Sequence, residues 1–123
     1  MTSLCLLDNI SVMVGDRIYF TYMLASRPHG TLYTGVTNDL ILRTYDHREG
    51  LLPGFTRKYS VHLLVWFEQH TDINYAILRE KRIKRWRRDW KIALIEETNP
   101  NWEDYYPKLI DAGWRVERQS FRN

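Results

Sequence analysis

Residues 72–91, DINYAILREKRIKRWRRDWK, concentrate the chemistry of this chain. Arg79, Lys81, Arg82, Lys84, Arg85, Arg87, Arg88 and Lys91 are 8 of its 18 basic residues, and Glu80 sits among them. In a helix that starts at Asp72, a good N-cap, Ile73, Ala76, Ile77 and Glu80 fall at i, i+3, i+4 and i+7. That spacing puts Glu80 at the end of the apolar face, away from much of the basic face. A carboxylate desolvated there needs a partner. An arginine, a metal ion or a metal carried by nucleic acid would each serve. The surrounding cations suit phosphate, with Trp86 and Trp90 interleaved and expected in the core. The alternative is a structural ion pair and a solvated basic face.

A second cluster lies upstream. Thr37-Asn38-Asp39 offers caps for a helix over about 39–48, ended by Gly50, with Leu40, Arg43 and His47 at i, i+3 and i+7. Arg43 and His47 then stack one turn apart, and a guanidinium fork is suited to clamping a phosphate. Residues 18–25, IYFTYMLA, read as a strand covered on both faces. Ile18, Phe20, Tyr22 and Leu24 share one face; Tyr19, Thr21 and Met23 share the other. Residues 26–30 carry turn chemistry, and 32–36 return as a hairpin strand in which Gly35 marks a bulge or a close backbone approach. Residues 51–58 read as a loop bearing Arg57 and Lys58, with Tyr59 next to it, and 61–68 as a third strand. Helices follow over 72–85 and about 87–97, a short one over 102–110, then a basic tail. The expected fold is α+β: a three-stranded antiparallel sheet flanked by at least three helices, in the order β-β-α-β-α-α. His29, His62 and His70 lack metal-ligand spacing and read as structural.

Composition bounds the function. With 123 residues, 44% of them apolar, the chain can bury one modest core. A net charge of +3 excludes a general polycation and leaves one concentrated basic surface. A single cysteine, Cys5, excludes an intramolecular disulfide and a cysteine-cluster zinc site. No apolar run nears the roughly 20 residues that span a bilayer, and the N-terminus lacks a basic n-region. A reduced, cytoplasmic protein with no membrane partner is the expectation.

Tyr22, Tyr33-Thr34-Gly35, Arg43 with His47, and Glu80, in this order, resemble the GIY-YIG nuclease superfamily. The likeness is strongest to small single-domain members related to the nuclease domain of the excision-repair incision subunit. It covers residues 18–106, between extensions at 1–17 and 107–123, and includes TLYTGVTNDLILRTYDHREG, REKRIKRWRRDWKIALIE and NPNWEDYY. The resemblance implies divalent-metal-dependent phosphodiester hydrolysis with Mg2+ or Mn2+. It implies catalytic roles for Tyr22, Tyr33, Arg43 and His47, and makes Glu80 the metal ligand. Gly35, Tyr59 and Asn99 would support the site. Lys58, Lys81, Lys84, Arg85, Arg87 and Arg88 would meet nucleic acid, DNA first with RNA chemically open, and a protein partner could supply targeting. Two departures stand out. Thr21-Tyr22-Met23 lacks the glycine and isoleucine of the first motif. Val36-Thr37 follows the second motif where some nucleases carry a lysine, which leaves Arg43 or the metal to activate a base. The alternative function is a nucleic-acid-binding module with little or no catalytic activity.

Overall fold

The computed structural model describes residues 18–52 and 54–114. Strand β1 (Tyr19–Ala25) is the centre of a three-stranded sheet of order β2-β1-β3, with β2 (Leu32–Thr37) and β3 (Leu63–His70) both antiparallel to it. Helices α1 (Leu40–Arg48), α2 (Phe55–Lys58), α3 (Ile73–Arg85), α4 (Arg88–Thr98) and α5 (Tyr105–Asp111) complete the α+β fold. None of the described helices is long and apolar enough to cross a membrane.

The near-continuous apolar run of β1 has the expected cause: both faces of the strand are covered. Met23 and Ala25 pack with Val65, Trp66, Ile83, Ile95 and Trp102. Phe20, Tyr22 and Leu24 pack with Leu40, Val61 and Leu64. Thr21, wholly buried, satisfies its hydroxyl by donating to the Ala76 carbonyl at 2.9 Å, which ties α3 to β1. Side-chain caps begin three helices. Asp39 accepts from Leu42 N, Asp72 from Asn74 N and Asp104 from Tyr106 N.

The structure corrects the sequence reading in four places. The stretch 51–58 is not a plain loop, because residues 55–58 form the one-turn α2, and the order becomes β-β-α-α-β-α-α-α. The third strand begins at Leu63 rather than at Val61. The Val61 N–H bonds back to the Thr56 carbonyl at 2.9 Å, so this buried residue closes the exit from α2 instead of entering the sheet. Its far end extends to His70 because pairing with Tyr19 continues that far. Trp90 is not a core residue. It is 51% exposed, edge-on to Trp86 and under the Arg87 guanidinium, whereas half-buried Trp86 does pack on the core. The short last helix starts at Tyr105, and Leu109 and Trp114 pack against the Phe20 side of the sheet. The N-terminal extension and most of the basic tail lie outside the described residues.

Asn99 ends α4 and is buried. Its amide donates to the carbonyls of Val65 (3.0 Å) and Glu103 (2.9 Å), and its side-chain oxygen accepts from Glu103 N (2.9 Å). Asn99→Ala would strand these backbone groups and is expected to lower unfolding free energy by about 1–3 kcal/mol. Urea denaturation of the variant against wild type measures it, and an unchanged midpoint would show that these bonds do not hold α4 to β3.

Candidate active site

The site begins with a missing side chain. Tyr22 on β1 lies opposite Gly35 on β2. A Cβ at residue 35 would come within 2.5 Å of the Tyr22 hydroxyl and 2.6 Å of its Cζ. Glycine therefore lets the ring lie across β2, the close approach that a strand glycine signals. Tyr22 is 2% exposed, and its hydroxyl lies 3.1 Å from His47 Nε2 on α1. The other ring nitrogen, Nδ1, lies 2.9 Å from Thr56 Oγ1 on α2. All three side chains are buried. A neutral imidazole donates from one nitrogen and accepts at the other. The two hydroxyls therefore take complementary parts, one giving its proton to the ring and the other receiving from it.

Electrostatics favours the neutral forms. Burial pushes the Tyr22 phenol well above the usual tyrosine range, reinforced by Tyr33 and Glu80 and opposed by Arg43. Burial holds His47 down to about 4, aided by the Arg43 cation and opposed by Asp46. Tyr33 completes an aromatic group, with its ring 5.2 Å from His47, 6.4 Å from Tyr22 and 6.2 Å from Phe55. A polar cleft of about 250 Å³ reaches His47 and Thr56 between Arg48, Arg57 and His62. The larger cleft, about 570 Å³, lies along β3 and α5 and is lined by none of Tyr22, Tyr33, Arg43, His47 or Glu80.

Glu80 is largely buried on α3, its side chain 13% exposed. Its ion pair is with Lys84, one turn on, at 2.6 Å, not with Arg43. Half-buried Arg43 instead bears on the ionisation of both Tyr22 and His47, and Glu80 on that of Tyr22, which places the four charges and dipoles in one neighbourhood. Lys84 Nζ also stands 6.0 Å from the Tyr33 ring, so α3 brings a cation to the second motif where residues 36 and 37 supply none. Among the described residues no three His, Cys, Asp or Glu side chains gather to hold a metal. One buried carboxylate fits an ion that takes most of its oxygens from water and phosphate, as Mg2+ does, and does not fit a closed zinc site.

The predicted nucleic-acid contacts divide. Lys81 and Arg85 are exposed on α3. Lys84 is held by Glu80, and Arg87 pairs with Asp89 at 3.0 Å. Arg88 donates to the carbonyls of His29 and Gly30, both at 2.6 Å, and so braces the β1–β2 turn. Lys58 lies 5.4 Å from the Tyr59 ring. Asn99 is bonded to β3 and residue 103, not to the Tyr22 group. Sequence reasoning missed Thr56 and Phe55. Thr56 follows His47 by nine residues through an irregular turn, a separation with no periodic signature. Phe55 and Tyr59, at i and i+4, were the available sign of a helical turn.

A sequence model of the GIY-YIG catalytic domain matches residues 18–93, the span that holds Tyr22, Tyr33, Arg43, His47 and Glu80. The UPF0213 protein of Clostridium perfringens strain 13 is 34% identical over 90 residues, covering 73% of this chain and 96% of that protein. The UPF0213 protein of Staphylococcus epidermidis strain RP62A is 32% identical over 79 residues, 64% of this chain and 95% of the relative. That of Nitratidesulfovibrio vulgaris Hildenborough is 34% identical over 80 residues, 65% and 72% respectively. No solved structure gives a significant match.

The His47 ring is expected to titrate near pH 4 in the folded protein, against about 6.5 unfolded. The unfolded chain then binds the proton more tightly between these values. Its contribution to stability is full above about 6.5 and is lost as pH falls towards 4. Ring-proton NMR shifts followed against pH test this, and a midpoint near the ordinary value would show that His47 is not buried as a neutral base.

Proposed function

The chain belongs to the GIY-YIG catalytic-domain family, and on that premise we propose that it is a divalent-metal-dependent endonuclease that hydrolyses phosphodiester bonds in DNA. The observation that carries this reading is the buried Tyr22–His47–Thr56 hydrogen-bonded chain, with Arg43 and Glu80 in its electrostatic neighbourhood.

In this reading Glu80 holds the metal, Mg2+ or Mn2+, which when bound supplies Lewis-acid stabilisation of charge on the phosphoryl oxygens. Arg43 clamps a phosphoryl oxygen with its planar fork. The Tyr22 phenol is too weak an acid to stand as a resting phenolate, so it acts with His47. As the phenol oxygen takes a proton from the attacking water, the phenol proton passes to His47 Nε2. Thr56 receives from Nδ1–H and keeps the ring in that orientation. The water oxygen bonds to phosphorus, and the bond from phosphorus to one sugar oxygen breaks. Approach of the anionic phosphate favours the imidazolium and lifts His47 from its low resting basicity. Tyr33 packs against the ring, and Lys84 brings positive charge towards Tyr33 and Glu80. Exposed Lys81 and Arg85 meet neighbouring phosphates, joined by Lys58 beside the Tyr59 ring.

One observation favours the second reading, a nucleic-acid-binding module with little activity. Lys84 already occupies the Glu80 carboxylate, and a metal must compete with it. Nicking of supercoiled plasmid with Mg2+ or Mn2+, in wild type and Glu80→Gln, separates the two. Metal-dependent nicking that disappears in the variant is expected. Retained DNA binding without cleavage by either protein would establish the binding module, and equal cleavage by both would remove Glu80 from the site. Arg43→Ala is expected to lower the cleavage rate by about 10²–10³-fold with DNA binding nearly unchanged; parallel loss of both would make Arg43 a docking residue. Lys81→Glu with Arg85→Glu should weaken binding and reduce its salt dependence by about one unit of slope per lost phosphate contact. An unaltered slope in a binding assay would place the DNA elsewhere.

A further inference from the structure

The one-turn helix α2 does two things at once. Its Thr56 faces inward and bonds His47. Its Phe55 and the following Tyr59 face outward, each 45% exposed, with ring centroids 4.8 Å apart. Both rings lie outside the two core clusters and against each other, so together they offer a contiguous aromatic surface to water. They do not stand alone. Phe55 lies 6.2 Å from Tyr33 at an interplanar angle of 30°, and Tyr33 is 5.2 Å from His47. An aromatic ladder thus runs from the buried site to the surface: Tyr22, Tyr33, Phe55, Tyr59. Cations lie along it, Lys84 6.0 Å from the Tyr33 ring and Lys58 5.4 Å from the Tyr59 ring, and Arg57 is exposed on the same turn as Phe55.

We infer that Phe55 and Tyr59 form a nucleobase-stacking subsite that takes an unpaired base of the DNA strand next to the phosphate held at Arg43 and His47. Aromatic faces flanked by lysines and an arginine suit a base with its phosphates, since every base presents a π-face and the backbone between bases is anionic. They do not suit a paired base, whose faces are covered by its neighbours in the stack. The subsite rests on the nuclease reading for its place beside the chemistry, and on the exposed rings for its ligand. Because Phe55, Thr56 and Tyr59 share one helical turn and its exit, a base seated on the two rings also fixes the helix that positions Thr56 against His47. Gly54, at φ 103°, starts this turn in a conformation that glycine adopts without strain.

The test is binding of fluorescein-labelled oligothymidylate in EDTA, read by anisotropy, so that cleavage does not enter. For Phe55→Ala/Tyr59→Ala we expect about tenfold weaker binding of the oligothymidylate, the lower part of the range for stacking a base or two, with affinity for a duplex of the same length nearly unchanged. The ring-preserving pair Phe55→Tyr/Tyr59→Phe should bind as wild type does, and an abasic oligonucleotide should bind wild type and the alanine variant alike. Far-UV circular dichroism and the melting temperature show whether the variant is folded; Phe55→Leu/Tyr59→Leu, which keeps apolar bulk but no ring face, should lose affinity as the alanine variant does. Equal losses on duplex and single strand, no loss on either, or a leucine variant that binds normally would each overturn the subsite. Its fate is separate from that of the nuclease reading. A stacking effect in a protein that never cleaves would retain the subsite and sink the enzyme, and metal-dependent cleavage with no effect of the aromatic variants would do the reverse.

Discussion

The structure depends on one close contact, the ring of Tyr22 laid across the bare backbone of Gly35. Any side chain at residue 35 would push the ring back from β2, and with it the hydroxyl that meets His47. The contact joins two neighbouring strands to the first helix, and through His47 and Thr56 it reaches the short helix before β3. Four separate stretches of sequence are thereby tied to a single buried polar line. A buried phenol, imidazole and hydroxyl are costly unless each finds a partner, and here each partners the next. The same burial makes the phenol a weak acid and the imidazole a weak base, so both groups rest neutral.

The basic stretch that dominates the sequence does less uniform work than its composition suggests. Of its cations, Arg79 grips Glu68 and lies over Trp66 and Trp86, Lys84 holds Glu80, Arg87 holds Asp89, and Arg88 braces a turn of the hairpin. The Arg79 and Arg88 contacts anchor α3 and α4 to the sheet and its turn, whereas the Lys84 and Arg87 pairs are local to their own helices. Lys81 and Arg85 keep the outward direction that phosphate would need. A charge run is thus part scaffold and part surface, and only contacts in three dimensions divide it.

Much of the fold was legible because its cues are local. The unbroken apolar run of β1, the aspartates at 39 and 72 placed to cap helices, and the turn chemistry at 26–30 each specify structure through neighbours in the chain. The placement of Arg43 over His47 follows from helical periodicity alone. What failed had competing long-range causes. Val61 looks like a strand residue, yet its N–H is taken by Thr56. Trp90 looks like core, yet α4 turns it outward against Trp86 and Arg87.

By itself the sequence determined the three strands and the longer helices, the two faces of β1, and the family to which Tyr22, Tyr33, Arg43, His47 and Glu80 belong, because residue order and spacing carry that information. Only the tertiary structure decided who meets whom. It gave His47 both Tyr22 and Thr56, and set Phe55 of α2 against Tyr33 of β2. Those pairings join residues on different elements, so packing and desolvation choose among them, and neither leaves a trace in a residue's near neighbours.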